Sequence, residues 1–141
     1  MSTIDELWRD CRRWIALETM LFERLGAAAR SAQTPTPARR VLGAWSNRHG
    51  WHADLWRGRE PVIPHHEFVA DDDLSWVDST RAVVEADLAA LVDPVLTTMQ
   101  DHVAEHRSRI DPLLDGPTAR ILDLVAADLV TEIGELRPLL G

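Results

Sequence analysis

Residues 3–32 read TIDELWRDCRRWIALETMLFERLGAAARSA, and this stretch decides the fold. At about 100° per residue, Ile4, Leu7, Cys11, Trp14, Ile15, Leu21, Phe22, Leu25 and Ala29 fall within about 60° of Glu18. That is the apolar stripe of a long amphipathic helix, with a carboxylate at its midpoint. Thr3-Ile-Asp-Glu6 opens it as a capping box. An ionised carboxylate facing a core is costly unless a metal, a proton or a counter-charge meets it. Glu18 is therefore expected to be buried and paired.

The same pattern recurs three times between breaks. Thr34-Pro-Thr-Pro37, Glu60-Pro61 with Pro64-His65-His66, and Asp111-Pro112 with Asp115-Gly116-Pro117 punctuate the chain. The spacing predicts helices near 3–32, 38–59, 74–109 and 117–137, the third kinked or broken at Pro94 and the fourth opened by Pro117. The reading is all-α, a four-helix bundle in a single domain over 1–141. The acidic run Asp71-Asp72-Asp73 is read as a solvated loop and helix cap, and His65-His66 as solvent-exposed.

Composition narrows the partners. The chain has 141 residues and a formal charge of −8, which argues against a nucleic-acid partner and an anionic membrane surface. No apolar run approaches the ~20 residues of a membrane span, and the N-terminus lacks a signal-peptide pattern, so a cytoplasmic location is expected. All 15 basic residues are Arg, which rules out a Schiff-base lysine, and the absence of Tyr rules out a tyrosyl radical. The single Cys11 lies on the apolar stripe and reads as a small buried hydrophobe.

Inward polar residues appear on each predicted helix. Leu42, Trp45, Ala53 and Trp56 lie around His49, with His52 to one side and a turn away. On the third helix Arg81, Glu85 and His106 share an arc with Leu88, Val92, Val95 and Met99. His102 sits nearer its edge. On the fourth, Ile121, Val125, Leu129, Ile133 and Leu136 enclose Glu132, with Asp128 at the boundary. Trp51 and Trp76 fall off the inward arcs, which suits an entrance or an oligomer contact. The bland alternatives are a core histidine bonded to a carbonyl, a structural ion pair in which Arg81 neutralises a glutamate, and for Glu85 a solvated place at the edge of the buried arc.

Leu21-Phe22-Glu23-Arg24-Leu25-Gly26, His49-Gly50-Trp51-His52-Ala53-Asp54-Leu55-Trp56, and Asp115-Gly116-Pro117 leading into Ala127-Asp128 resemble the ferritin-like superfamily. The resemblance implies carboxylate and histidine ligands facing one another across the bundle. Glu18 would be the first-helix carboxylate and Glu85 the third-helix one. His49 and His52 would form the second-helix pair, with His replacing the usual Glu. Asp128 and Thr131 stand where Glu and His belong, and Thr131 is a poor ligand. This implies a remodelled site, mononuclear with Glu132 or His106 recruited, or a cavity that has lost its metal. A second resemblance, to the DinB/YfiT-like three-histidine metalloproteins, rests on His49, His102 and His106.

The expected function is a small-molecule-modifying enzyme with Glu18, His49 and Glu85 as catalytic groups. Glu18, His49, His52, Glu85, His106 and Glu132 form the ligand pool for iron or another divalent metal. The chemistry would be oxygen-dependent oxidation or metal-assisted acid/base work. The alternatives are a metal-free enzyme or binding bundle, with Arg81 gripping a substrate anion and Trp45 and Trp56 shaping the pocket, and a non-catalytic bundle with structural ion pairs. A small molecule is the expected partner, together with a second copy of the chain as a homodimer.

Overall fold

The computed structural model describes residues 3–69 and 74–140, so Asp71 to Asp73 lie outside the described residues. Among the described residues the chain is all-helical, with no strand. Helix α1 spans Ile4–Arg30, α2 Thr36–Arg59, α3 Ser75–Ala86, α4 Thr97–Ser108 and α5 Gly116–Leu140. None of them is long and apolar enough to cross a membrane.

The local chemistry of each helix end accounts for its position. The backbone amide of Glu6 donates to the Thr3 hydroxyl at 3.1 Å, and the Thr3 amide donates to the Glu6 carboxylate at 3.0 Å. A capping box of this kind stabilises a helix start by ~1 kcal/mol. Ser31 leaves the helix in an extended conformation, and α2 begins two residues earlier than predicted because Pro37 fits its first turn. The Arg39 side chain closes that corner by donating to the carbonyls of Ala32 and Thr34 at 2.8 and 2.9 Å. Asp115 caps α5 by accepting from the Thr118 amide, and Arg59 at the end of α2 donates to the same carboxylate at 2.8 Å. α5 runs on to Leu140 despite Pro138, whose missing N–H removes a single bond from the last turn.

The predicted third helix is in fact two. α3 ends at Asp87, which is extended (φ −151°, ψ 109°) and whose carboxylate accepts from the Ala89 amide. A 3-10 turn over Leu88–Leu91 and a π turn over Val92–Leu96 then lead into α4. Asp93 breaks the π turn with φ −118° and ψ 108°, as the residue before a proline is pushed out of the helical region. The Asp93–Pro94 peptide is cis.

α3 packs on α1, α1 on α2, α2 on α5, and α5 on α4. Leu17, Met20, Leu21, Leu42, Leu96, Met99, Leu122, Leu129 and Leu136 form the centre of the core, each 1% exposed or less. The stripe of α1 is rotated from its predicted position. Leu17 and Met20 are buried, while Ile4 and Phe22 are 41% and 43% exposed. Cys11 is fully buried, and burial, reinforced by Glu60, pushes its thiol up to about 12. It is a protonated core residue.

Candidate metal centre

Glu18 projects from the middle of α1 into the seam with α2 and α5, where it is completely buried. His49 and His52, one turn apart on α2, face it, and both are buried. From α5 come Glu132, which is buried, and Asp128, four residues earlier on the same face and half-buried. The His49 Nδ1 lies 2.5 Å from Glu18 Oε2, and its Nε2 lies 2.9 and 2.8 Å from the two oxygens of Glu132. The His52 Nε2 lies 2.7 Å from Asp128 Oδ2, and its Nδ1 faces Glu18 Oε1 at 3.3 Å.

Arg48 closes the network on the surface side. It grips both oxygens of Asp128 at 2.8 and 3.1 Å, and its guanidinium lies 4.5 Å from the centre of the Trp51 ring. The cluster therefore runs Glu132, His49, Glu18, His52, Asp128 and Arg48, with hydrogen bonds at every step but the 3.3 Å approach of Glu18 to His52.

Electrostatics in this seam favour charge on both sides. Burial alone would lower the basicity of His49, but the Glu132 and Glu18 carboxylates override it and raise its pKa to about 10. Burial would likewise raise Glu18, yet His49 and His52 reverse the sign and hold it below the usual carboxylate range. Asp128 is also held low, because Arg48 and His52 outweigh its partial burial. Without a bound cation, His49 is an imidazolium clamped between two carboxylates.

Two atoms are left over. Glu18 Oε1 and His52 Nδ1 are buried and make no hydrogen bond. Buried polar atoms without partners are rare and point to an absent ligand or to strain. Two donors each ~2.0–2.1 Å from a tetrahedral ion stand about 3.4 Å apart, close to the 3.3 Å between these two atoms. Glu18, His49 and His52 each offer a ligand atom, all within 4.8 Å of one another, and they are the one such set among the described residues. Both histidines can turn Nδ1 toward the shared space while Nε2–H donates to a carboxylate, Glu132 for His49 and Asp128 for His52. That is the carboxylate–histidine–metal arrangement in which the outer carboxylate fixes the tautomer and ring orientation. The donor set fits a divalent ion.

The remaining predicted site residues are dispersed. Glu85 is exposed and pairs with Arg24 at 3.1 Å. Arg81 pairs with Asp78 on its own helix at 2.9 Å. Both were placed inward by continuing one helical phase through residues 74–109, and the break at Asp87 removes that phase. Trp45 donates to Glu135 at 2.7 Å on the outer side of α5. Trp56 is buried, stacked beside Trp14 and His106. His106 takes a hydrogen bond from Trp14 and is absent from the ligand set, so it is not recruited, nor do His49, His102 and His106 form a three-histidine set. Thr131 is exposed and its hydroxyl turns back to the Ala127 carbonyl. Glu132 sits with the cluster, but behind His49 and not beside Glu18. The helical wheel puts Asp128 at the boundary of the inward arc, and the ferritin-like resemblance puts it where a ligand Glu belongs; the structure places it behind His52. Its spacing of four from Glu132 was the available signal, and Arg48, which holds it in place, lay outside every predicted arc.

None of four surface clefts of about 210 to 640 Å3 is lined by Glu18, His49, His52 or Glu132. The solvent edge of the network is Asp128, whose side chain is 16% exposed, and Arg48 above it. No protein-family model, curated protein or solved structure matches the chain.

Proposed function

We propose that the chain is a ferritin-like four-helix-bundle enzyme that binds one divalent transition-metal ion in its core and oxidises a small molecule there. Glu18, His49 and His52 hold the ion. Glu132 and Asp128 orient the two imidazoles from behind. Two histidines and one carboxylate leave coordination positions open, the ligand set of mononuclear non-haem iron oxygenases. When bound, such an ion supplies Lewis acidity and, for iron, oxygen activation. Glu132 accepts the Nε2–H of His49 and keeps its Nδ1 deprotonated. Asp128, held by Arg48, does the same for His52. The apolar residues around the seam exclude bulk water. The observation that carries this reading is the unpartnered pair Glu18 Oε1 and His52 Nδ1, buried 3.3 Å apart.

The test is metal analysis of protein purified without chelator, followed by anaerobic loading with Fe(II). About one equivalent of metal is expected, lost in Glu18→Ala, and the Fe(II) form should bind nitric oxide with the electron paramagnetic resonance signal of a high-spin iron nitrosyl. Absence of stoichiometric metal after loading sinks the metal centre. Metal without nitric oxide binding would make the ion structural and sink the oxidase.

A second reading has its own support. His49 satisfies both nitrogens with carboxylates and no cleft described above reaches it, the arrangement of a metal-free ionic core. Failure of Fe(II), Zn(II) and Co(II) alike to bind would favour it.

A further inference from the structure

A third buried histidine lies one helical layer away and opens on a cleft. Trp14 follows Glu18 back along α1 by four residues, and Trp56 follows His52 along α2 by four. Their rings and that of His106 from α4 lie nearly parallel, with centroids 6.1 to 6.2 Å apart. Trp14 Nε1–H donates to His106 Nδ1 at 2.9 Å, so the proton of the neutral imidazole is on Nε2. His106 is 2% exposed, and its Nε2 has no hydrogen-bond partner.

The cleft it lines has a volume of about 290 Å3, near the lower end of the ~300–1,000 Å3 of small-molecule sites and suited to a one- or two-ring molecule. Trp14 and Trp76 form its aromatic walls, set edge to face with centroids 6.4 Å apart, and His102 leans on Trp76 at 4.5 Å. Its inner polar group is Asp10, with a side chain only 12% exposed. His106 Nε2 stands 3.5 Å from one Asp10 oxygen and Arg13 Nη1 stands 3.6 Å from the other, both too long for good hydrogen bonds. Of the arginines at the rim, Arg13 is more exposed and its ion pair with Asp10 is long, while Arg109 is engaged elsewhere. Arg109 is bound to Glu105 at 2.7 Å, and both side chains are about half exposed or more, at 45% and 60%.

We propose that this cleft binds a small planar nitrogen base, an amidine or aminoheterocycle, which donates its N–H groups to Asp10 and stacks among Trp14, Trp76 and His102. The inner group is an acceptor, which selects a donor. The aromatic walls favour a flat π system, and more so a protonated one. His106 backs the far oxygen of Asp10 from inside the core and leaves the oxygen near Arg13 to the ligand. Burial lifts Asp10 above the usual carboxylate range and lowers His106, so the imidazole is a neutral donor that does not compete as a cation. The proposal is independent of the metal centre, and metal content should be unaffected by any substitution in the cleft.

Isothermal titration with 2-aminobenzimidazole, and with benzoate as an anion of similar size, decides it. The base should bind and benzoate should not. Asp10→Asn should weaken binding by about tenfold or more, the value of a charge-assisted hydrogen bond, while Glu105→Gln stays within about twofold of wild type because an exposed charge contributes little. Trp76→Leu should weaken binding several-fold, and it serves in place of Asp10→Asn if the latter melts abnormally. No binding of the base at millimolar concentration, benzoate binding as tightly, or unchanged affinity in the substituted proteins overturns the proposal.

Discussion

Two of the three buried histidines, His49 and His106, have opposite protonation preferences, though both are removed from water. His49 lies between two carboxylates at hydrogen-bond distance and is held cationic up to about pH 10. His106 has a tryptophan donor on one nitrogen and a carboxylate only at 3.5 Å on the other, so burial prevails and its basicity falls. Desolvation acts on both, and the number of close counter-charges decides the winner. The first region is an ionic cluster that meets solvent at Asp128 and Arg48 and is suited to a metal, the second a neutral donor at the back of an open cleft.

The largest effect should come from breaking the first region's balance. Glu18→Ala leaves His49 with one carboxylate and removes the charge that faces His52 at 3.3 Å, and removal of one partner from a buried charge pair costs about 3–5 kcal/mol. Urea denaturation should show a loss of that order, whereas Asp10→Asn in the cleft should change stability by ~1 kcal/mol or less. Similar losses at the two positions would erase the distinction between the regions.

The pH dependence of the metal-free, chelator-treated protein follows the same contrast. His49 has a folded pKa of about 10 against 6.5 for the ordinary imidazole. Its contribution is therefore fully present below about pH 6.5 and lost as the pH rises through 10. Glu18 is shifted down, so its contribution is present above the ordinary carboxylate range and lost on acidification. Calorimetry should find Tm falling on the order of 10 °C between pH 7 and 10, and His49→Gln should flatten that alkaline limb. A wild-type Tm flat from pH 7 to 10 would mean that folded His49 does not carry the extra proton.

In the second region, Trp14→Phe keeps an aromatic ring in the stack but removes the donor to His106 Nδ1 together with part of a buried side chain. The cost should be about 2–4 kcal/mol, an unpaired buried acceptor added to a cavity. A neutral result would show that a water replaces the indole N–H.

How far the sequence carried follows from phase. Glu18, His49, His52 and Glu132 stand in uninterrupted helices, so a count at 100° per residue brought them inward together. The same count misplaced Glu85 and Arg81, because the extended backbone at Asp87 and Asp93 resets the rotation between α3 and α4. It also centred the α1 stripe too near Phe22, since a single-helix wheel does not show that α1 is shared between α2 on one side and α3 on the other. Glu132 was read as a ligand and lies behind His49 because depth within a seam is not encoded in angular position. Nothing in the sequence singles out Asp10. It becomes distinctive only through the rings of Trp14, Trp76 and His106, which come from three different helices.

The smallest stability effect and the finest test concern Arg48. Its side chain is 45% exposed and its contact is a surface clasp on Asp128, so Arg48→Met should change the folding free energy by less than about 1 kcal/mol. Its effect on metal should be disproportionate. Asp128 orients His52 through a 2.7 Å hydrogen bond, and Arg48 fixes Asp128 in turn. Outer-shell substitutions of this type weaken metal binding by about 10–100-fold. Competition titration with a chromophoric chelator should therefore find reduced affinity in a protein whose urea midpoint barely moves. An ionic core without a metal function predicts the reverse ordering, a small stability loss and no metal affinity to lose. The two measurements on one variant thus separate a clasp that tunes a ligand from a clasp that merely decorates the surface.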